Sequence, residues 1–124
     1  MIFLLFPLYS LIIRHRFFVI LFYVRIESKV LNQTLYIGLN GELDEHAAEY
    51  TRAGLDGLMT AGSVQRVVID LSGLSFMDST GVGVLIGRFK KLKARNIPLF
   101  LANPTSGADK VLTMSGIYQI MPKI

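Results

Sequence analysis

The chain has 124 residues, 52% hydrophobic and 18% charged, a single domain's length with too much apolar content for a disordered segment. It has no cysteine and only two histidines, His15 and His46, which excludes disulfide frameworks, thiolate chemistry and a histidine-rich metal centre. Thirteen Lys and Arg against nine Asp and Glu give a net charge of +4, too small a surplus for direct nucleic-acid binding.

In chain order, the first segment is unlike the rest. Residues 1–24 hold 19 apolar side chains and 7 of the 13 aromatics. Arg14-His15-Arg16 interrupts them, and a central Arg costs about 2.5–3.5 kcal/mol on insertion scales. The apolar runs on either side (2–13 and 17–24) are each too short to cross a bilayer. The charges do not precede the apolar stretch and no small-residue cleavage site follows, so a signal peptide is not indicated. No methionine follows Met1 until Met59, and a regular pattern begins near Val24, where a valine codon can serve as a bacterial start. Residues 1–23 are therefore read as non-native upstream translation or as an anchor, outside a domain spanning 24–124.

Val24–Leu31 alternates weakly, and Thr34–Leu39 is a β-rich run, with Asn32-Gln33 suited to a hairpin turn between them. Asn40-Gly41 is expected to break the strand. Asp44 is the expected N-cap of a helix over 45–61, with Ala47, Ala48, Tyr50, Ala53, Leu55 and Leu58 on its apolar side and Gly62 at its end. Arg66–Leu71 reads as a buried central strand. A loop over Ser72–Asp78 leads to a helix over 80–94. Val82, Leu85, Ile86, Phe89 and Leu92 form its apolar face; Arg88, Lys90, Lys91, Lys93 and Arg95 form its outer face. Ile97–Ala102 is a further strand, Pro104 opens a helix through Met114, and a last short strand begins at Ile117. The order ββαβαβαβ predicts an α/β domain, a mainly parallel sheet of four to five strands with crossover helices.

In such sheets, function gathers in the loops at the carboxyl ends of the strands. Two loops stand out there, residues 40–44 and Phe76-Met77-Asp78-Ser79-Thr80-Gly81. Asp78, Ser79 and Thr80 open a helix, where unpaired backbone N–H groups and the helix dipole favour negative charge. Two readings stay open: plain N-capping, or a hydroxyl exposed as a phosphate acceptor. Nucleophilic catalysis is set aside. Ser79 is not in a Gly-x-Ser-x-Gly elbow and no histidine follows it as a base. Gly81, Gly83 and Gly87 are spaced one residue too long for a dinucleotide fingerprint, and suit either close approach of another surface or tight helix packing. The five cations over 88–95 read as a solvated helix face, with an acidic or anionic partner as the alternative.

Gly41-Glu42-Leu43-Asp44, Val67-Val68-Ile69-Asp70-Leu71 and Leu74-Ser75-Phe76-Met77-Asp78-Ser79-Thr80-Gly81-Val82-Gly83 together resemble the bacterial anti-sigma factor antagonists of the STAS domain family. Met114-Ser115-Gly116-Ile117 resembles the segment entering the last strand of that domain. The runs 41–49 and 86–90 are most similar to the sporulation antagonists, with the general-stress antagonists second. The resemblance implies a cytoplasmic, non-enzymatic switch. The unmodified protein binds an anti-sigma factor that is itself a serine kinase, and so releases a sigma factor. The kinase brings ATP and magnesium, leaving this chain without a cofactor or metal of its own. It phosphorylates the serine after the aspartate, here Ser79, and a serine phosphatase removes the mark. Gly41, Asp44, Asp78, Thr80, Gly81 and Gly83 would join Ser79 in contacting the kinase. The family continues into a final helix after the position of Ile124. The rival expectation is a STAS module of a membrane transporter or lipid-transport complex.

Overall fold

A computed structural model describes residues 2–3, 24–60 and 62–124. The expectations placed on the remainder of 1–23 lie outside the described residues. The elements run β1 (Ile2–Phe3), β2 (Val24–Leu31), β3 (Thr34–Leu43), α1 (Glu45–Met59), β4 (Arg66–Met77), α2 (Ser79–Lys93), β5 (Leu99–Ala102) and α3 (Ser106–Ser115), followed by a 3-10 turn at Ile117–Gln119. Among the described residues the strands form one sheet in the order β1-β2-β3-β4-β5.

The α/β architecture is as expected, but the sheet is mixed rather than mainly parallel. β1 with β2 and β2 with β3 are antiparallel, whereas β3 with β4 and β4 with β5 are parallel. The antiparallel half follows from a two-residue hairpin: Asn32 and Gln33 take φ of 51° and 65°, the left-handed pair that matches strand twist. The parallel half follows from the crossovers through α1 and α2, since parallel strands need a long connection.

Two boundaries differ from the sequence expectation. Asn40-Gly41 does not break β3, and Ser72–Met77 is strand rather than loop. β3 and β4 stay paired to Leu43↔Met77 because the register slips twice, between Gly38 and Asn40 and between Gly41 and Glu42, β4 using one extra residue each time. Gly41 takes φ +124° at the second slip. At Gly73 a Cβ would sit 2.8 Å from the Leu39 carbonyl oxygen and 1.9 Å from Asn40 Oδ1, so only glycine lets the strands close there. A third difference is at the carboxyl end. Ile117 starts a 3-10 turn, and the last strand shrinks to a parallel bridge between Leu101 and Lys123.

Ile37, Leu39, Ile69, Leu71 and Leu101 from the sheet are fully buried, with Leu55, Leu85 and Leu112 from the three helices. α1 packs on β2 and β3, α3 packs on β4, and α2 lies between α1 and α3. The buried stripe of α2 runs through Gly81, Val82, Val84, Leu85, Arg88 and Leu92; Val82, Leu85 and Leu92 of the expected face are buried, while Ile86 and Phe89 are half-buried at its margin. Arg88, expected outside, is 5% exposed. Its Nε lies 3.0 Å from Asp56 Oδ1 of α1, and Lys91 Nζ lies 2.9 Å from the other oxygen, so the charge is buried with a counter-charge. On α1, Ala53 is exposed, while Thr51 and Met59 are buried; the Thr51 hydroxyl donates to the Ala47 carbonyl at 2.8 Å.

Candidate functional site

The parallel pairing of β3 and β4 brings two strand-to-helix turns to one edge of the sheet. Leu43 and Met77 are register partners, and each is followed by an aspartate that opens a helix. Asp44 (φ −120°, ψ −169°) and Asp78 (φ −119°, ψ −170°) have the same backbone geometry. Asp44 Oδ1 accepts hydrogen bonds from His46 N at 2.9 Å and Ala47 N at 3.1 Å. Asp78 Oδ1 accepts from Thr80 N at 3.0 Å and Gly81 N at 3.2 Å. The Asp78 N–H donates to the Leu43 carbonyl at 3.4 Å, tying the two turns together. Both aspartates are thus N-caps, each satisfying two amides that a helix start leaves unpaired.

Ser79 follows as the first residue of α2. Its side chain is exposed, and its hydroxyl makes no hydrogen bond among the described residues. Capping therefore falls to Asp78 and leaves the Ser79 hydroxyl available. Of the two readings of this turn, capping and acceptor, the geometry accommodates both, on different residues. Thr80 is half-buried, and Gly83 is exposed one turn further on with nothing within 4 Å of a Cβ there.

Gly81 is different. It is buried, and a Cβ on it would meet Met77 Cγ at 2.8 Å, the Leu43 carbonyl oxygen at 2.9 Å and Leu43 Cγ at 3.0 Å. It serves the packing beneath the site, letting α2 approach the end of β3. Gly41 lies at the bulge that carries β3 to this edge, and its carbonyl accepts a 3.2 Å hydrogen bond from the Ser75 hydroxyl. The resemblance implied that the Gly41 loop and Asp44 lie beside Ser79 on one sheet edge; the parallel pairing of β3 and β4 is what brings the two turns together.

No cluster of three metal-ligating side chains occurs among the described residues, and His46 is exposed in the first turn of α1. Asp70, further down β4, is engaged by its neighbours. Burial pushes its carboxyl up, but hydrogen bonds from Ser72 N at 2.8 Å and Asn103 Nδ2 at 3.1 Å outweigh that and hold it below the ordinary carboxylate value. Two residues that sequence reasoning assigned no role also lie at the edge. Glu42 and Phe76 are register partners one step before Leu43 and Met77, and Phe76 is 48% exposed. The strand period carries the signal for it: with Met77 buried, Phe76 faces the other way.

Comparison with known proteins matches the STAS domain model to residues 25–124. The chain is 42% identical over 88 residues to the anti-sigma F factor antagonist of Lysinibacillus sphaericus, covering 71% of this chain and 75% of that protein. It is similar to the structure of the antagonist SpoIIAA in its unphosphorylated form, with a TM-score of 0.67 and 35% identity over 80% of this chain and 87% of that one. The phosphorylated form of the Bacillus SpoIIAA gives 0.61 and 37% over 82% and 90%. A 90-residue stretch is also 40% identical to part of an anion exchange transporter of Mus musculus, spanning 72% of this chain but only 12% of the transporter. No helix among the described residues is long and apolar enough to cross a membrane. With the family model covering residues 25–124 and the fold and the paired turns in place, this chain is a member of the STAS domain family.

Proposed function

We propose that this chain is an anti-sigma factor antagonist whose binding is switched by phosphorylation of Ser79. The observation that carries the reading is the division of labour at the α2 start: Asp78 takes the capping bonds while the Ser79 hydroxyl stays exposed and unengaged. The names of the relatives, and the existence of SpoIIAA in both phosphorylation states, support it. In this scheme the unmodified edge formed by Gly41, Asp44, Asp78, Ser79, Thr80 and Gly83 docks on an anti-sigma factor kinase and displaces its sigma factor, in control of sporulation transcription. The kinase holds the ATP and magnesium, a serine phosphatase resets the mark, and the chain itself is a non-enzymatic cytoplasmic regulator.

The physics follows from position. A phosphoserine adds about −1.5 to −2 charge. At a helix N-terminus that charge is tolerated, so the fold survives. A partner packed against Ser79 has to desolvate the phosphate and make room for it, so docking is lost without a change of shape.

The test incubates the full chain with ATP and the anti-sigma F factor homologue of the same organism, followed by intact mass. One added phosphate, absent in Ser79→Ala, is the expected result. Ser79→Ala binds the kinase constitutively and Ser79→Asp poorly. Equal binding by the two variants, or no phosphate from a kinase active on another substrate, overturns the switch. The second outcome leaves the transporter-type module as the surviving reading.

A further inference from the structure

The two segments that form the edge carrying Ser79 are acidic on a basic protein. Residues 41–51 and 72–87 contain Glu42, Asp44, Glu45, Glu49 and Asp78 and no lysine or arginine, whereas the whole chain is +4. At the same edge Phe76 keeps 48% of its surface exposed, although a phenylalanine side chain has no polar group to hold it in water. It does so because β4 stays paired with β3 to the last residue. Leu43 and Met77 point into the core, so their register neighbours Glu42 and Phe76 are turned away from it.

We infer that Phe76 is the apolar anchor of the docking surface, with Glu42, Asp44 and Glu45 as its acidic rim. Its occupant is a patch on the kinase partner that offers an apolar pocket flanked by Lys and Arg side chains. This inference rests on the partner reading proposed above and adds the chemistry of recognition to it. Two residues, Met77 and Asp78, separate Phe76 from Ser79, which puts their Cα atoms within about 11 Å of each other. A partner burying about 800 Å² per side over Ser79 has the reach to extend onto Phe76 as well. A large aromatic beside charged groups is the usual composition of an energetic hot spot, with the acidic rim contributing to the rate of encounter. The two roles are separable: the aromatic sets how long the complex lasts, and the rim sets how fast it forms.

Binding of the full chain to the purified anti-sigma F factor homologue is measured by surface resonance for wild type, Phe76→Ala, Phe76→Leu and the double reversal Glu42→Lys/Glu45→Lys. Thermal midpoints accompany each, because an exposed side chain can be truncated without unfolding the domain. Phe76→Ala is expected to dissociate about thirtyfold faster at an unchanged midpoint, with Phe76→Leu retaining most of the affinity. The charge reversal is expected to slow association about tenfold and to remove most of its salt dependence. Wild-type kinetics in Phe76→Ala, with wild type itself binding, overturn this inference and leave the partner reading standing. No binding by wild type overturns both.

Discussion

The three glycines of α2 offer a controlled test of how the site is built. Gly81 and Gly83 differ by two positions in one helix, yet only at Gly81 does a Cβ meet the end of β3. Its 2.9 Å approach to the Leu43 carbonyl cannot be relieved by rotating a side chain, and 2.8 Å to Met77 Cγ adds to it. Overpacking of this kind costs about 1–3 kcal/mol, against a helix-propensity gain of up to about 1 kcal/mol for replacing glycine with alanine. At Gly83 and Gly87 nothing lies within 4 Å, so the propensity gain stands alone. Both variants share the propensity gain, so Gly81→Ala is expected to be less stable than Gly83→Ala by the overpacking cost, about 1–3 kcal/mol, roughly 4–12 °C in thermal midpoint for a domain of this size. The assay is thermal and urea unfolding followed by circular dichroism, with Gly87→Ala as a second open control. The Leu43 carbonyl is also the acceptor of the Asp78 N–H, so the Gly81 variant is expected to loosen the turn that presents Ser79. A Gly81→Ala protein as stable as Gly83→Ala would refute the close packing of α2 on β3. Gly83→Ala has a second use: if a partner seats on this turn, it weakens binding while raising stability.

Two further outcomes follow from the charged groups. Asp56→Ala leaves Arg88 buried without its counter-charge and is expected to cost roughly 1–3 kcal/mol in urea unfolding, moderated because Asp56 is about a third exposed. Arg88→Met, which removes the buried charge and keeps the volume, is expected to stay within about 1 kcal/mol of wild type. At the carboxyl end, hydrogen bonds from Tyr118 and Lys123 hold the Asp109 carboxyl below its ordinary value of 3.8. A carboxyl lowered by folding contributes stability above that value and loses it as the pH falls through the folded one, so wild type and Asp109→Asn are expected to converge below pH 4 in thermal midpoint. Burial and the Asp109 hydrogen bond raise the Tyr118 phenol above 10, so its contribution is complete below pH 10 and is lost at more alkaline pH.

Much of this domain was legible where one local rule sufficed. The β-branched run at 66–71, the aspartate caps at 44 and 78 and the hairpin at Asn32-Gln33 each carry their own physics, and each stands where the sequence places it. What was illegible depended on neighbours distant in sequence. Arg88 looks like a surface cation until Asp56 of another helix is brought to it. Asn40-Gly41 and Ser72-Gly73 look like strand breakers until each is seen to absorb a register slip against the other. Ile117-Tyr118-Gln119-Ile120 has strand-like composition, but Ile117 and Met121 are the buried pair, four apart, and that spacing belongs to a helical turn. For the candidate site, the sequence motif identified the residues and the resemblance set the two loops on one edge, while the parallel register of β3 and β4 supplies the geometry that joins them.

That register also bears on the charge switch proposed for Ser79. Two helices start side by side, and each contributes about half a positive charge at its N-terminus. Asp44 and Asp78 already answer them with one carboxylate each, and each carboxylate is committed to two backbone amides. Two full carboxylates exceed the two half charges, so the edge is already net negative before anything binds. A phosphate on Ser79 arrives as surplus negative charge on a surface with Glu42 and Glu45 nearby, and no lysine or arginine within the two segments to take it up. Inside the domain the surplus is carried by solvent, since Ser79 is exposed, and the packing below it at Gly81 and Leu43 is untouched. At a docked surface the solvent is gone, and the two segments supply no lysine or arginine to offset the same charge. The free-energy difference between those two environments is what a phosphorylation switch requires, and it arises here from the placement of one hydroxyl a single residue beyond its cap.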